Sequence, residues 1–330
     1  MGPDRPSPPR MPAAPRLARR ALLAAPALLL AGRARADWPD RPIRLVAPFP
    51  AGSGTDVLAR VLAPVLQREL GQPIVVDNRP GANGVLGSQS AAQSAPDGYT
   101  LVILGTSAAA INPHLVKKMP YDVARDFAMV GTIGETPYVL CVPADGPKDL
   151  RSFLDQVRAR GDATFSYGNA GALIMASTLA SMTGLRVTPV PYRGGAEAIT
   201  DVAAGRIDAN FADFIPAMSQ AQGGRVRIIG HSMARSFSVA PELPSISATV
   251  PGFDMNVWWT IAAPAGTPAA IIARASQALG ATLAAPEVVE RLASMGDAPM
   301  RMTPAETTRF VAREHQAWGE RVRIAGIEPQ

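Results

Sequence analysis

The chain is poor in the residues from which most active centres are assembled. Of its 330 residues, one is cysteine and three are histidine. The single Cys141 excludes an internal disulfide, and its place in the apolar run 138–142 marks it as a small buried hydrophobe. His114, His231 and His315 lie far apart, with no cysteine or carboxylate cluster beside them, so no metal site is expected. The chain has no G-x-S-x-G elbow, no H-E-x-x-H pair and no Walker A loop. Gly52-x-Gly54 is followed by Val57 where a dinucleotide fingerprint needs glycine. No resident cofactor is therefore expected. Nor is there a tandem repeat or low-complexity tract after residue 37.

The apolar run 21–31 has eleven residues, too few to span a bilayer, and Pro26 breaks it. It follows Arg16, Arg19 and Arg20 and precedes Ala34-Arg35-Ala36, an A-x-A cleavage signal. Residues 1–36 are thus expected to be a signal peptide cleaved after Ala36, leaving Asp37 first and the protein in the periplasm. Export by the general secretory route or, from Arg19-Arg20, the twin-arginine route is open. This segment also holds seven of the 32 Lys+Arg and one of the 27 Asp+Glu, so residues 37–330 carry 25 basic against 26 acidic residues. The basic character of the full chain belongs to the leader, and nucleic-acid binding loses its support.

What the chain does have is a strand, a small-residue turn and a helix start in residues 43–56. The apolar segment 43–47 runs into Pro48-Phe49-Pro50-Ala51-Gly52-Ser53-Gly54-Thr55-Asp56. Leu58, Val61, Leu62, Val65 and Leu66 then recur at helical spacing. The first N–H groups of a helix have no internal partner and carry partial positive charge, and glycines let a ligand approach the backbone. The combination is an anion cradle.

Strand-like and helix-like segments alternate through residue 230, which predicts parallel sheets with helices on both faces. The last third reads as three helices, 268–285, 286–294 and 303–325. Each has a proline near its first turn, and Thr303 with Glu306 forms a capping box for the third. Four further strand-to-helix turns are rich in small residues: Arg79-Pro80-Gly81-Ala82-Asn83-Gly84, Gly105-Thr106-Ser107, Gly168-Asn169-Ala170-Gly171 and Arg193-Gly194-Gly195. Any one of them is an ordinary helix cap. Together, at the carboxyl ends of strands, they outline a cleft between two α/β domains.

These segments resemble the Bug family, the extracytoplasmic substrate-binding receptors of tripartite tricarboxylate transporters. Besides the motif at 48–56, the resemblance rests on Asn78-Arg79-Pro80-Gly81-Ala82-Asn83-Gly84, Ala95-Pro96-Asp97-Gly98-Tyr99 and Asn112-Pro113-His114-Leu115. It continues through Val190-Pro191-Tyr192-Arg193-Gly194-Gly195, Gly205-Arg206-Ile207-Asp208 with Phe211-Ala212-Asp213, and Ala263-Pro264-Ala265-Gly266-Thr267-Pro268. It spans nearly all of residues 37–330. It implies a type II periplasmic-binding-protein fold, with lobe I formed by 37–136 and 231–330, lobe II by 137–230, and crossovers near 135–139 and 230–232. It implies a monomeric, non-enzymatic receptor that holds a di- or tricarboxylate, an amino-acid acid or an aromatic acid and delivers it to membrane subunits. The ligand would meet Ala51, Gly52, Ser53, Gly54, Thr55, Asp56, Thr106, Ser107, Asn169, Ala170, Gly171, Arg193, Gly194, Gly195 and Asp213, chiefly through backbone N–H groups.

The chain departs from the family pattern after Tyr167. The stretch is about four residues shorter than usual, and Ala172-Leu173-Ile174-Met175 stand where the family has a Ser and a His. A less polar second lobe follows as the expectation. Glu197 faces either the site or solvent. Asp56 and Asp213 read either as an acid/base pair across the cleft or as a helix-start carboxylate and an ammonium partner. Trp258 and Trp259 invite stacking, with at least one in the core. Two other functions remain open at this point: a sensor module for a signalling membrane protein, and a secreted hydrolase or isomerase.

Overall fold

The computed structural model describes Met1, Gly2, residues 38–192 and residues 194–329. The rest of the leader, the cleavage site expected after Ala36, Asp37, Arg193 and Gln330 lie outside the described residues. Contacts divide the chain into Met1–Asp40 and Arg41–Gln330. In the first unit the Trp38–Pro39 peptide is cis. All that follows concerns the second.

The chain enters through β1 (Ile43–Ala47), α1 (Gly54–Leu70), β2 (Ile74–Asn78), α2 (Val85–Ala92) and β3 (Thr100–Gly105). α1 buries Leu58, Leu62, Val65 and Leu66 and ends at Gly71, whose φ of +75° suits a residue without Cβ. Short helices α3 (Asn112–Leu115) and α4 (Val123–Asp126) lead to the long strand β4 (Phe127–Thr136). Only Pro137 separates it from β5 (Tyr138–Pro143). There follow α5 (Leu150–Arg160), β6 (Ala163–Tyr167), α6 (Ala170–Thr183), β7 (Val187–Pro191), α7 (Gly195–Ala203), β8 (Ala209–Asp213), α8 (Phe214–Gln222) and β9 (Val226–His231). The end of the chain supplies β10 (Val257–Pro264), α9 (Ala269–Thr282), α10 (Pro286–Ser294), β11 (Ala298–Pro299) and α11 (Pro304–Ile324).

Two sheets result, ordered β11-β4-β10-β3-β1-β2 and β7-β6-β8-β5-β9. Both are mixed rather than parallel. β1 pairs in parallel with β2 and β3, and β6 with β7 and β8. β10 runs antiparallel to β3 and β4, β11 antiparallel to β4, and β5 antiparallel to β8 and β9. The expectation of parallel sheets holds for the βαβ portions alone. A parallel neighbour needs a crossover of a dozen or more residues. β4 and β5 have one residue between them and belong to different sheets, so the chain passes straight from one sheet to the other.

The crossing is stitched. Ser232, just past β9, donates its N–H to Tyr138 O at 2.9 Å, and its hydroxyl accepts the Tyr138 N–H at 3.0 Å. Met255 N–H in turn reaches Ser232 O at 2.8 Å. Between these points Met233, Phe237 and Ala240 pack with Val139 and Cys141 on β5 and with Phe214 on α8. Burial pushes the Cys141 thiol pKa up, as befits an inert core residue.

α11 closes the main core. Its capping box is formed as the sequence predicts: Thr303 Oγ1 accepts Glu306 N–H at 3.3 Å and the Glu306 carboxylate accepts Thr303 N–H at 2.9 Å. It packs on β4 of the first sheet and on α6, which flanks the second. Phe310, Val311, Trp318 and Val322 share one apolar cluster with Ile174, Met175 and Leu179. Ala172, Ile174 and Met175 are therefore core contacts of α6.

Candidate functional site

The site grows from the start of α1. Ser53 is the N-cap: its hydroxyl accepts Asp56 N–H at 3.3 Å. Asp56, only 3% exposed, reaches back to accept Gly52 N–H at 2.8 Å and takes Arg60 Nε–H at 3.0 Å. The Arg60 guanidinium and the Gly52 N–H hold this carboxyl down at about 2. Gly52 has φ of +81°, which lets the turn close on Asp56. With these donors spent, the N–H groups of Gly54 and Thr55 are left without a partner among the described residues. Both residues line a cavity of ≈ 390 Å³ that draws on both sheets.

Ser53, Gly54 and Thr55 form one wall with Phe49. The end of β3 brings Gly105, Thr106 and Ser107. Thr106 is tied to β10, accepting Trp258 N–H at 2.8 Å and donating to Trp258 O at 3.2 Å. Ser107 opens a π-helical turn, Ser107–Ile111, a widening often found at functional sites. β10 adds Val257 and Trp259, while Trp258 is fully buried and donates its indole N–H to Glu314 at 3.2 Å. One tryptophan thus serves the core and the other the cavity. The second sheet contributes Tyr138, Asp213 and the first turn of α8, Phe214-Ile215-Pro216. Thr136, Met295 and Asp297 complete the lining.

Of the sequence candidates, Ser53, Gly54, Thr55, Thr106, Ser107 and Asp213 meet in this cavity. Ala51, Gly52 and Asp56 do not line it; they shape the loop that does. Asp56 and Asp213 make no acid/base pair, since Asp56 is committed to Gly52 and Arg60. Asn169, Ala170 and Gly171 stand behind Tyr138. Asn169 caps α6 by accepting Ala172 N–H at 2.9 Å and also accepts the Tyr138 hydroxyl at 3.1 Å. Gly195 lies beside Asp213: a Cβ on it would be 3.8 Å from Asp213 Oδ2, while a Cβ on Gly194 would meet nothing within 4 Å. Gly168 is pressed on that turn, where a Cβ would come 2.2 Å from Gly194 C. Glu197 is exposed and borders an outer groove with Tyr192 and Thr200.

Asp213 remains open to solvent at the cavity wall, yet the protein crowded around it pushes its carboxyl pKa up, against the opposing effect of the Tyr138 hydroxyl. Asp297, missed in the sequence, is more extreme. It is 4% exposed, accepts no hydrogen bond from any described residue, and desolvation raises its carboxyl pKa to about 7. The one sequence hint is an acid directly after the helix-ending Gly296, ahead of the apolar Ala298-Pro299-Met300. Among the described residues no group of three His, Cys, Asp or Glu could hold a metal ion, and no helix is long and apolar enough to cross a membrane.

The comparisons with known proteins converge. Residues 58–327 match the model of the tripartite tricarboxylate transporter family receptor. The chain is 34% identical to Protein BugT of Bordetella pertussis over 308 residues, covering 91% of this chain and 94% of that protein. An R. palustris protein solved with adipate superposes with a TM-score of 0.77 at 30% identity, covering 89% of this chain and all of that one. MatC from Rhodopseudomonas palustris, solved with bound malate, gives a TM-score of 0.72 at 28% identity, with coverage of 86% and 100%. The two mixed sheets are those of the periplasmic-binding-protein fold, and the matched family is one of solute receptors rather than enzymes. By sequence and by architecture, the chain belongs to the tripartite tricarboxylate transporter receptor family.

Proposed function

We propose that this protein captures a small carboxylate in the cavity at the start of α1 and delivers it to the membrane subunits of a tripartite tricarboxylate-type transporter. The observation that carries this reading is the pair of N–H groups at Gly54 and Thr55 that have no partner among the described residues, in two residues that line a cavity drawn from both sheets. A carboxylate there accepts hydrogen bonds from fixed donors at the positive end of a helix. The solved relatives bound to adipate and malate support the same ligand class. The protein works in the periplasm after loss of residues 1–36, and N-terminal sequencing of exported protein should begin at Asp37.

Two lobes, 37–136 with 231–330 and 137–230, close on the ligand about the crossings near 135–139 and 230–232. The ligand drives closure only by binding the closed form better. Moving the equilibrium from 1:99 to 99:1 takes about 5.5 kcal/mol. Charge-assisted hydrogen bonds of roughly 1.5–3 kcal/mol each supply that when both lobes contribute. A thermal-shift screen of carboxylic acids, followed by calorimetry and small-angle scattering, tests the proposal. Binding with a smaller radius of gyration is expected; no stabilisation by any acid at millimolar concentration refutes it.

A further inference from the structure

We infer that Asp297 is a specificity-determining residue of this cavity, selecting a carboxylate that also carries a protonated amine over the same acid without one. The inference rests on the carboxylate-receptor reading and refines it. Its first support is the state of Asp297 itself. The residue is 96% buried by the complement of its 4% exposure, lines the cavity, and receives no hydrogen bond from a described residue. Buried charges in proteins are paired or bound to a cation; an unpaired one is costly. Its place is fixed from behind. Asp297 N–H bonds Leu292 O at 2.9 Å, Thr136 Oγ1 donates to Gly296 O at 2.7 Å, and a Cβ on Gly296 would come 2.3 Å from Phe214 Cδ1. These contacts hold the backbone of Asp297 in place at the cavity wall.

The second support is the charge of the lining. Among the described residues that form the cavity there is no Lys, Arg or His, and the ionisable carboxyls are Asp213 and Asp297. The N–H groups of Gly54 and Thr55 suit one carboxylate of a ligand. A second ligand carboxylate would meet like charge, whereas an ammonium supplies the donors and the positive charge that Asp297 lacks. Anionic cradle and acidic wall together fit a zwitterion.

The test compares matched acids on the full protein without its leader: 2-aminoadipate with adipate, L-glutamate with glutarate, and L-aspartate with succinate. Each is titrated calorimetrically into the wild type and Asp297→Asn. In at least one pair the amine-bearing acid is expected to bind the wild type about 10- to 100-fold more tightly, the range of one charge-assisted hydrogen bond. Asp297→Asn should abolish that preference while keeping or improving the affinity for the amine-free acid. Equal or tighter wild-type binding of the amine-free acid in every pair overturns the inference and leaves the carboxylate receptor standing. A preference that survives in Asp297→Asn also overturns it. Failure of all six acids, and of the wider carboxylate screen, removes both readings. The wild-type comparison needs no variant, so a folding defect in Asp297→Asn cannot mask the result.

Discussion

Asp297→Asn is expected to stabilise the ligand-free protein on the alkaline side and to leave it unchanged in acid. The Asp297 carboxyl moves from an ordinary value of 3.8 to about 7 on folding, because burial penalises its charged form. With its pKa raised, the folded state holds the proton more tightly than the unfolded chain does. Asp297 therefore costs nothing below pH 3.8, and its penalty grows until the pH has risen through about 7. At about 1.36 kcal/mol per pH unit the separation corresponds to about 4 kcal/mol, an upper figure because water entering the cavity solvates the carboxylate. Asparagine keeps the shape and has no charge to lose. Urea denaturation at pH 4, 6 and 8, without ligand, should show the variant's advantage rise from near zero to about 2–4 kcal/mol. An advantage that does not change with pH, or a variant less stable at pH 8, would refute the account of Asp297 as a buried, unpaired acid.

Three further outcomes are expected. Gly54→Val should weaken carboxylate binding at least tenfold by calorimetry with little change in melting temperature, since a Cβ there meets open space and the residue lines the cavity. Gly52→Val, by contrast, should cost stability because φ is +81°. Gly168→Ala should lower stability by about 1–3 kcal/mol in urea melts, as its Cβ would overlap the Gly194 backbone at 2.2 Å; an unaltered midpoint would mean the two turns are not pressed together. Arg60→Ala should flatten the acid limb of the stability profile. The Asp56 carboxyl, held at about 2, contributes stability that is present above its ordinary value of 3.8 and lost as the pH falls towards 2, and the variant forfeits much of it.

Local chemistry made much of this legible in the sequence. The cradle at 52–56, the cap at Thr303 with Glu306 and the alternation of β1, α1 and β2 each follow from residues within one turn of each other. β4 and β10 were not legible as parts of a sheet. β4 reads Phe-Ala-Met-Val-Gly-Thr-Ile-Gly-Glu-Thr, whose glycines suggest a loop, and its pairing with β10 joins residues more than a hundred positions apart. Cavity and core were confused for the same reason. Ile174 and Met175 follow a cleft turn in sequence but face α11, and only the tertiary packing says so. Asp297 was hidden because nothing in its neighbours announces burial; Phe214, against which the Gly296 turn packs, comes from α8, more than eighty positions earlier in the chain.

The position of α11 has a consequence for how the two halves hold together. Phe310, Val311, Trp318 and Val322 are buried in one core with residues of β4 on one side and α6 on the other. Without them the apolar residues of both faces would stay open to water. Because this one helix covers apolar residues of both halves, their stabilities are coupled through it, and loosening it exposes both at once.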